Sequence, residues 1–379
     1  MMSYWERASF FSNIDVVIIG SGIVGLNAAI TLKEQQPELK IVLLDRGVLP
    51  IGASTRNAGF ACFGSMTELL DDMEEQGESE VLQLVEKRWK GLLRLRQRVG
   101  DLQLEFEPKG GFEIFKEDES TRYQCCIDRM DWMNKQLAPI IQTHNIFSKA
   151  DHLIQKFQFG KVQHLIRNQA EGQINTGKMM QRLLKLAQSL TIEIFNGFEV
   201  DRVEEQGTFV DIISKDNWRI KTNKVLIANN GFARQLTDLP DVLPARNQVL
   251  ITMPIDKLPF AGTFHYDRGY FYFRNVGKRI LLGGGRHLAK AAEQTDVFGT
   301  SLPIKTALQN LLKEVILPNQ KTEIDMWWSG ILGVGQQKKP IVKFISPNVL
   351  VAVRLGGMGV AIGSLVGEEA AGLLMSGVA

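Results

Sequence analysis

Asp15-Val16-Val17-Ile18-Ile19-Gly20-Ser21-Gly22-Ile23-Val24-Gly25 is the stretch that decides the fold. Its first five residues form a short β-branched apolar run, the pattern of a strand buried in a parallel sheet. The run enters a glycine turn directly. Leu26-Asn27-Ala28-Ala29-Ile30-Thr31-Leu32-Lys33 then continues with apolar residues at helical spacing, and a second strand over 40–44 ends at Asp45-Arg46. Gly20 permits the tight turn, Gly22 lets the backbone approach a pyrophosphate, and Gly25 lets the helix pack closely on the strand. Ile23 and Val24 open a helix whose free N–H groups and partial positive charge attract phosphate. Asp45 stands twenty residues beyond Gly25, where a carboxylate can accept both ribose hydroxyls. A glycine turn alone fits many α/β proteins. Strand, turn, helix and distal acid together predict a Rossmann-like unit that binds a dinucleotide.

The same signal recurs at the other end of the chain. A buried-strand run over 348–353 passes through Arg354-Leu355 into Gly356-Gly357-Met358-Gly359-Val360-Ala361, and a small-residue helix is expected over 362–375. A glycine turn opening a helix is an anion site.

With 379 residues, 44 % of them hydrophobic and 23 % charged, the chain is long enough for two domains and a large core. This composition excludes a disordered chain, a collagen repeat and a disulfide scaffold. Three cysteines, two of them adjacent (Cys125 and Cys126), suit a reducing compartment. The net charge of +2 gives no basic excess for nucleic acid. No signal peptide and no uninterrupted apolar run of spanning length is read, so a cytoplasmic location is expected.

After the second strand comes Gly52-Ala53-Ser54-Thr55-Arg56-Asn57-Ala58-Gly59-Phe60. Here the chain resembles the D-amino-acid oxidase and glycine oxidase superfamily of FAD-dependent oxidoreductases, in the branch with a G-A-S-x-R-N-x-G loop. The resemblance implies that the loop crosses the pyrophosphate and isoalloxazine, with Ser54, Arg56, Asn57 and Ala58 on FAD. It further implies contacts from Val200, Ala228, Gly231 and Gly330, and a C-terminal turn of Gly357, Met358, Gly359 and Val360 facing the flavin's pyrimidine end. FAD is expected to be noncovalent, with Cys62 a small buried hydrophobe. Asn229 and Asn230 depart from the family's usual Ala-x-Gly-Ala. After Trp327-Trp328-Ser329-Gly330, where relatives often place a carboxylate-binding arginine, this chain has 331–335 without one.

The expected architecture is α/β: a discontinuous FAD-binding domain (1–90, 160–245 and 326–379) and an α+β substrate domain on an antiparallel sheet (91–159 and 246–325). In the second domain, 104–107 and 111–115 read as paired strands around Pro108-Lys109-Gly110, and 119–136 as a helix. Residues 191–200 alternate like a strand, as do 248–253, 269–274 and 279–282. In such a strand Tyr270, Tyr272 and Arg274 share one face, and Phe271 and Phe273 the other. Those polar aromatics, with Arg286 on the next strand, are the candidate substrate wall; His265 and His287 flank it. None of the five histidines shows metal-ligand spacing, so no metal is expected.

The leading expectation is oxidation of a C–N bond in a small amine or amino acid, with oxygen or a quinone as acceptor. Two alternatives stay open: C–O oxidation of a 2-hydroxy acid with His265 or His287 as base, and a noncatalytic flavin-binding module. A homodimer is also left open.

Overall fold

The computed structural model describes residues 2–376. Strand Ile14–Ile19 sits inside an eight-stranded sheet, parallel to Ile41–Asp45 on one side and to Arg219–Ile227 on the other. Val349–Val353 continues the parallel run beside Arg219–Ile227, and Glu193–Asn196 extends it beyond Ile41–Asp45. Val16 and Ile18 enter one core while Val17 and Ile19 enter the other, as the two-residue period of a strand requires. Helix Ile23–Gln35 buries every residue from Ile23 to Leu32. The C-terminal helix Gly359–Ser376 packs along it, so the two glycine turns open side by side.

The second sheet also has eight strands. In spatial order they are Ile324–Val334, Leu243–Thr252, Arg279–Gly284, Phe271–Val276, Thr263–Tyr266, Gly111–Lys116, Val162–Asn168 and Phe147–Lys149. All neighbours are antiparallel except Thr263–Tyr266 against Gly111–Lys116. One face carries a phenylalanine-rich core that includes Phe112, Phe264, Phe271 and Phe273. The mixed α/β, two-sheet architecture is the one expected.

Several local expectations change. Residues 104–107 are not a strand. Asp101–Leu104 is helical, Glu105 closes it in the left-handed region (φ 49°), and Glu107 exchanges backbone hydrogen bonds with Gln173 at 2.9 and 3.0 Å. Gly111–Lys116 pairs instead with Val162–Asn168. The stretch 191–200 breaks at Gly197 (φ 75°) into Glu193–Asn196 and a strand starting at Val200. Val162–Asn168 and Ile324–Val334 belong to the second sheet, whereas the expected boundaries put them in or partly in the first domain.

Candidate functional site

The Gly20 turn, the 52–57 loop and the Gly357 turn border one elongated trough. Its outer part is lined by Gly20, Gly22, Ile23, Val24, Asp45, Arg46, Ala53, Ser54, Asn57, Val200, Ala228, Gly357, Gly359 and Val360. Its inner part is a chamber of about 380 Å³. Ala53, Asn57, Leu332, Gly357 and Val360 line both parts, so the space is continuous and suits a long ligand with a polyanionic middle and a ring at one end. Its outer wall also offers an unanswered group: the buried Oδ1 of Asn229 has no hydrogen-bond partner.

Local chemistry explains how the turns are held. Gly20 has φ 107°, and a Cβ there would lie 2.9 Å from the Ala228 carbonyl oxygen, so strand and turn meet backbone to backbone. Asp45 accepts from the Ser21 backbone N–H at 3.0 Å and from its hydroxyl at 2.7 Å, while its other oxygen accepts from Gly47 at 3.0 Å. The carboxylate therefore braces the first turn from the end of the second strand. Ser54 Oγ accepts from the Ile23 N–H at 3.0 Å, tying the 52–57 loop to the helix start. Asn230, in the left-handed region (φ 48°), accepts from the Arg354 N–H at 2.9 Å and the Leu355 N–H at 3.3 Å. The second residue of the pair that departs from the usual motif thus fixes the C-terminal turn to the end of strand Arg219–Ile227.

Not every expected contact faces the trough. Gly25 and Gly231 lie behind it: a Cβ on Gly25 would meet the Gly20 oxygen, and one on Gly231 the Leu332 oxygen. Arg46 stacks its guanidinium on Phe232, 3.8 Å from the ring centroid. Arg56 lines the chamber, yet its guanidinium lies over Phe298 and donates to the Ser329 carbonyl at 3.0 Å. Its charge thus anchors the loop to strand Ile324–Val334.

Ala58, Gly330, Met358, Tyr270, Tyr272, Arg286 and His265 line the inner chamber. Tyr272 receives a 2.9 Å hydrogen bond from Asn247, and burial pushes its hydroxyl upward. Tyr270 lies just before strand Phe271–Val276, so the turn rather than the strand aims it. Arg274 is the main correction. It is 7 % exposed and sits beneath the 52–60 loop, donating to the Gly59 carbonyl at 3.4 Å, and it does not line the chamber. Burial lowers its guanidinium to about 10, with Glu107 opposing. His287 also lies outside, pairing with Asp267 at 3.2 Å behind Tyr270.

Sequence reasoning missed one whole wall. Helix Met66–Gln76, capped at Ser65, turns Glu68, Asp71, Asp72 and Glu75 into the chamber; the positions i, i+3, i+4, i+7 put them on one face. Asp72 pairs with Lys338 at 2.6 Å, and Arg268 adds another cation to the lining. The helical period of those acids was the available signal, and it reads equally as a solvated face.

A buried polar cluster backs the chamber. His265 Nε2 lies 2.7 Å from Glu171 Oε1, which also accepts from Thr263 Oγ1 at 2.8 Å. Burial disfavours the imidazolium, but Glu171, followed by Glu68 and Glu113, outweighs it and holds His265 up to about 9. Glu113 is buried and pushed up to about 7 by desolvation, against hydrogen bonds from Thr67 and Ser65. A carboxyl that binds its proton more tightly when folded loses stability as pH rises from its unfolded value toward its folded one. Stability should therefore fall between about pH 4.5 and 7, by roughly 3 kcal/mol from this group. Urea melts of wild type and Glu113→Gln across that range would show it: the variant should be flatter, and parallel profiles would refute the assignment.

A parallel sheet with a glycine-turn trough, closed by a second sheet that walls a polar-aromatic chamber, defines a nucleotide-cofactor oxidoreductase. The family described as DAO, FAD dependent oxidoreductase, matches residues 15–373, and the chain belongs to it. FAD is its cofactor, and the trough fits that molecule. Among curated relatives, a probable oxidoreductase OrdL from Rhizobium meliloti (strain 1021) is 24 % identical over 367 residues, covering 93 % of this chain and 81 % of that protein. Among solved structures, iminodiacetate oxidase from Chelativorans sp. BNC1 has a TM-score of 0.75 at 17 % identity, covering 95 % of both chains. L-proline dehydrogenase from P. horikoshii has 0.74 at 16 % identity, covering 96 % of this chain and 94 % of the other. Among the described residues, no helix is long and apolar enough to cross a membrane.

Proposed function

We propose that this enzyme oxidises a C–N bond in a small amine or amino acid, giving an imine that water hydrolyses. When bound, FAD supplies the hydride acceptor, at flavin N5, and oxygen or a quinone restores it. The chain's own groups bind and orient the substrate. The carrying observation is Arg286, which lines the chamber together with Tyr270 and Tyr272, while Asp267 is already engaged by Arg268 and His287. A guanidinium so placed can hold a substrate carboxylate while the tyrosines set the reacting carbon's position. Gly357, Met358 and Val360 close the chamber's cofactor side.

Geometry also weighs against C–O oxidation. That chemistry needs a base near the alcohol, but His265 is committed through Nε2 to Glu171 and His287 sits behind Tyr270. The names of the iminodiacetate oxidase and L-proline dehydrogenase neighbours are consistent with nitrogen-bearing substrates.

Anaerobic titration of the FAD-loaded protein tests the reading. Bleaching of the flavin band by an amine or amino acid is the expected result. Bleaching only by a 2-hydroxy acid would move the reaction to C–O chemistry, and a band that no metabolite bleaches would favour a noncatalytic role. Peroxide formed on admitting air would identify oxygen as the acceptor.

A further inference from the structure

Cys62, Glu171 and His265 are far apart in sequence and converge at the back of the chamber. Strand Phe60–Ala61 pairs antiparallel with Gly172–Gln173, with Ala61 opposite Gly172. The residues just outside that pair are Cys62 and Glu171, so the register sets them across from each other. His265, on Thr263–Tyr266, completes the group through its 2.7 Å contact with Glu171. One ligand atom from each residue lies within 4.8 Å of the other two, and all three residues are buried. We propose that Cys62, Glu171 and His265 bind one thiophilic divalent cation of the Zn²⁺ class at the inner wall of the chamber.

The donor set argues for that class. Thiolate, imidazole and carboxylate are the ligands that zinc takes, and a three-residue set leaves one position for water or substrate. Geometry allows it. Tetrahedral bonds of about 2.0–2.3 Å set donors about 3.2–3.8 Å apart, so the His265–Glu171 contact must open by under about 1 Å. A second observation points to a ligand: Glu171 is 1 % exposed, yet its Oε2 has no hydrogen-bond partner. Buried carboxylate oxygens are seldom left so, and a cation would satisfy this one. Entry is open, because Cys62 and His265 both line the chamber. Thr263, which donates to Glu171 Oε1 at 2.8 Å, would orient the carboxylate from behind, as supporting hydrogen bonds do at metal sites.

On binding, the Cys62 S–H bond breaks and its electron pair forms the S–metal bond. The imidazolium N–H likewise gives up its proton so that the nitrogen lone pair can coordinate. Both protons leave to solvent through the chamber, and nothing is oxidised or reduced. The site is independent of which substrate bond is oxidised. A cation there would take up room at the back of the chamber that substrate would fill, so it would act as an inhibitor.

The test uses FAD-loaded protein carrying Cys125→Ser, which removes the exposed thiol. Zn²⁺ is titrated against a chromophoric chelator, and Co²⁺ is followed by its ligand-field bands on the red side of the flavin spectrum. Expected are one equivalent bound, tetrahedral Co²⁺ bands, and at least about tenfold weaker binding in Cys62→Ser, since loss of one ligand typically removes well over 1.4 kcal/mol, the equivalent of tenfold. Equal binding by Cys62→Ser, or no Co²⁺ bands in the unsubstituted site, would overturn the proposal. The Co²⁺ spectrum needs no variant at 62, so a misfolded Cys62→Ser leaves a decision. Substrate bleaching is scored separately, so failure here does not touch the proposed reaction.

Discussion

Gly25→Ala should yield a protein that no longer retains FAD. A Cβ at Gly25 would stand 2.0 Å from the Gly20 carbonyl oxygen and 3.1 Å from Ile18 Cγ2. The first of these is backbone in the very turn that lines the trough, so it cannot swing aside like a side chain. Either helix Ile23–Gln35 backs away from its strand or the turn deforms. The helix is buried along Ile23–Leu32, so moving it also disturbs its packing on Gly359–Ser376. Overpacking a tight core costs about 1–3 kcal/mol and occasionally more. Much of that falls on the binding-competent turn, so FAD affinity should drop on the order of 100-fold. The flavin-to-protein absorbance ratio after desalting, with a fluorescence titration of added FAD, measures it. Gly372→Ala is the control: it lies in the C-terminal helix with nothing within 4 Å of the added Cβ. Alanine is preferred there by about 1 kcal/mol, so the melting temperature should hold or rise with flavin content unchanged. A Gly25→Ala protein that keeps stoichiometric FAD would mean the turn is more pliant than its geometry shows.

That glycine could be assigned from sequence because everything it needs is local. Strand, turn, helix and acid fall within 31 residues, from Asp15 to Asp45, and each is specified by its immediate neighbours. The same holds for Val349–Val353 and the turn after it. Where pairing is long-range, local cues mislead. Pro108-Lys109-Gly110 reads as a hairpin turn, yet Glu107 finds its partner in Gln173, 66 positions on, and Gly111–Lys116 pairs with Val162–Asn168. Alternation correctly separated Tyr272 and Arg274 from Phe271 and Phe273, since only the phenylalanines enter the aromatic core. It could not show that the 52–60 loop covers Arg274, because depth along a strand depends on what is packed over it. The cluster of Cys62, Glu171 and His265 is invisible to spacing rules for the same reason: three strands from three parts of the chain bring it together.

The buried position of Arg274 leads to the second large effect, a contrast between two arginines that look equivalent in sequence. Arg286→Ala should raise KM for a carboxylate-bearing substrate by roughly 10- to 100-fold with kcat little changed. A hydrogen bond to a charged group contributes about 1.5–3 kcal/mol, and losing one that is equal in ground and transition states appears in KM alone. Arg286 lines the chamber and is only half-buried, so FAD content and melting temperature should stay near wild type. Arg274→Ala should do the reverse. It opens a cavity beneath the loop where Gly59 now rests, since the Arg274 Cζ would lie 3.3 Å from a Gly59 Cβ. It also removes the donor that meets the Gly59 carbonyl. Large-to-small changes at such buried sites cost about 2–5 kcal/mol. The loss should appear as a lower melting temperature and leakage of flavin, with KM for the remaining holoenzyme close to wild type. Steady-state kinetics on flavin-normalised enzyme, together with thermal melts of both variants, separates the two roles. A KM effect from Arg274→Ala with none from Arg286→Ala would exchange them, and would require the loop over Arg274 to open when substrate binds.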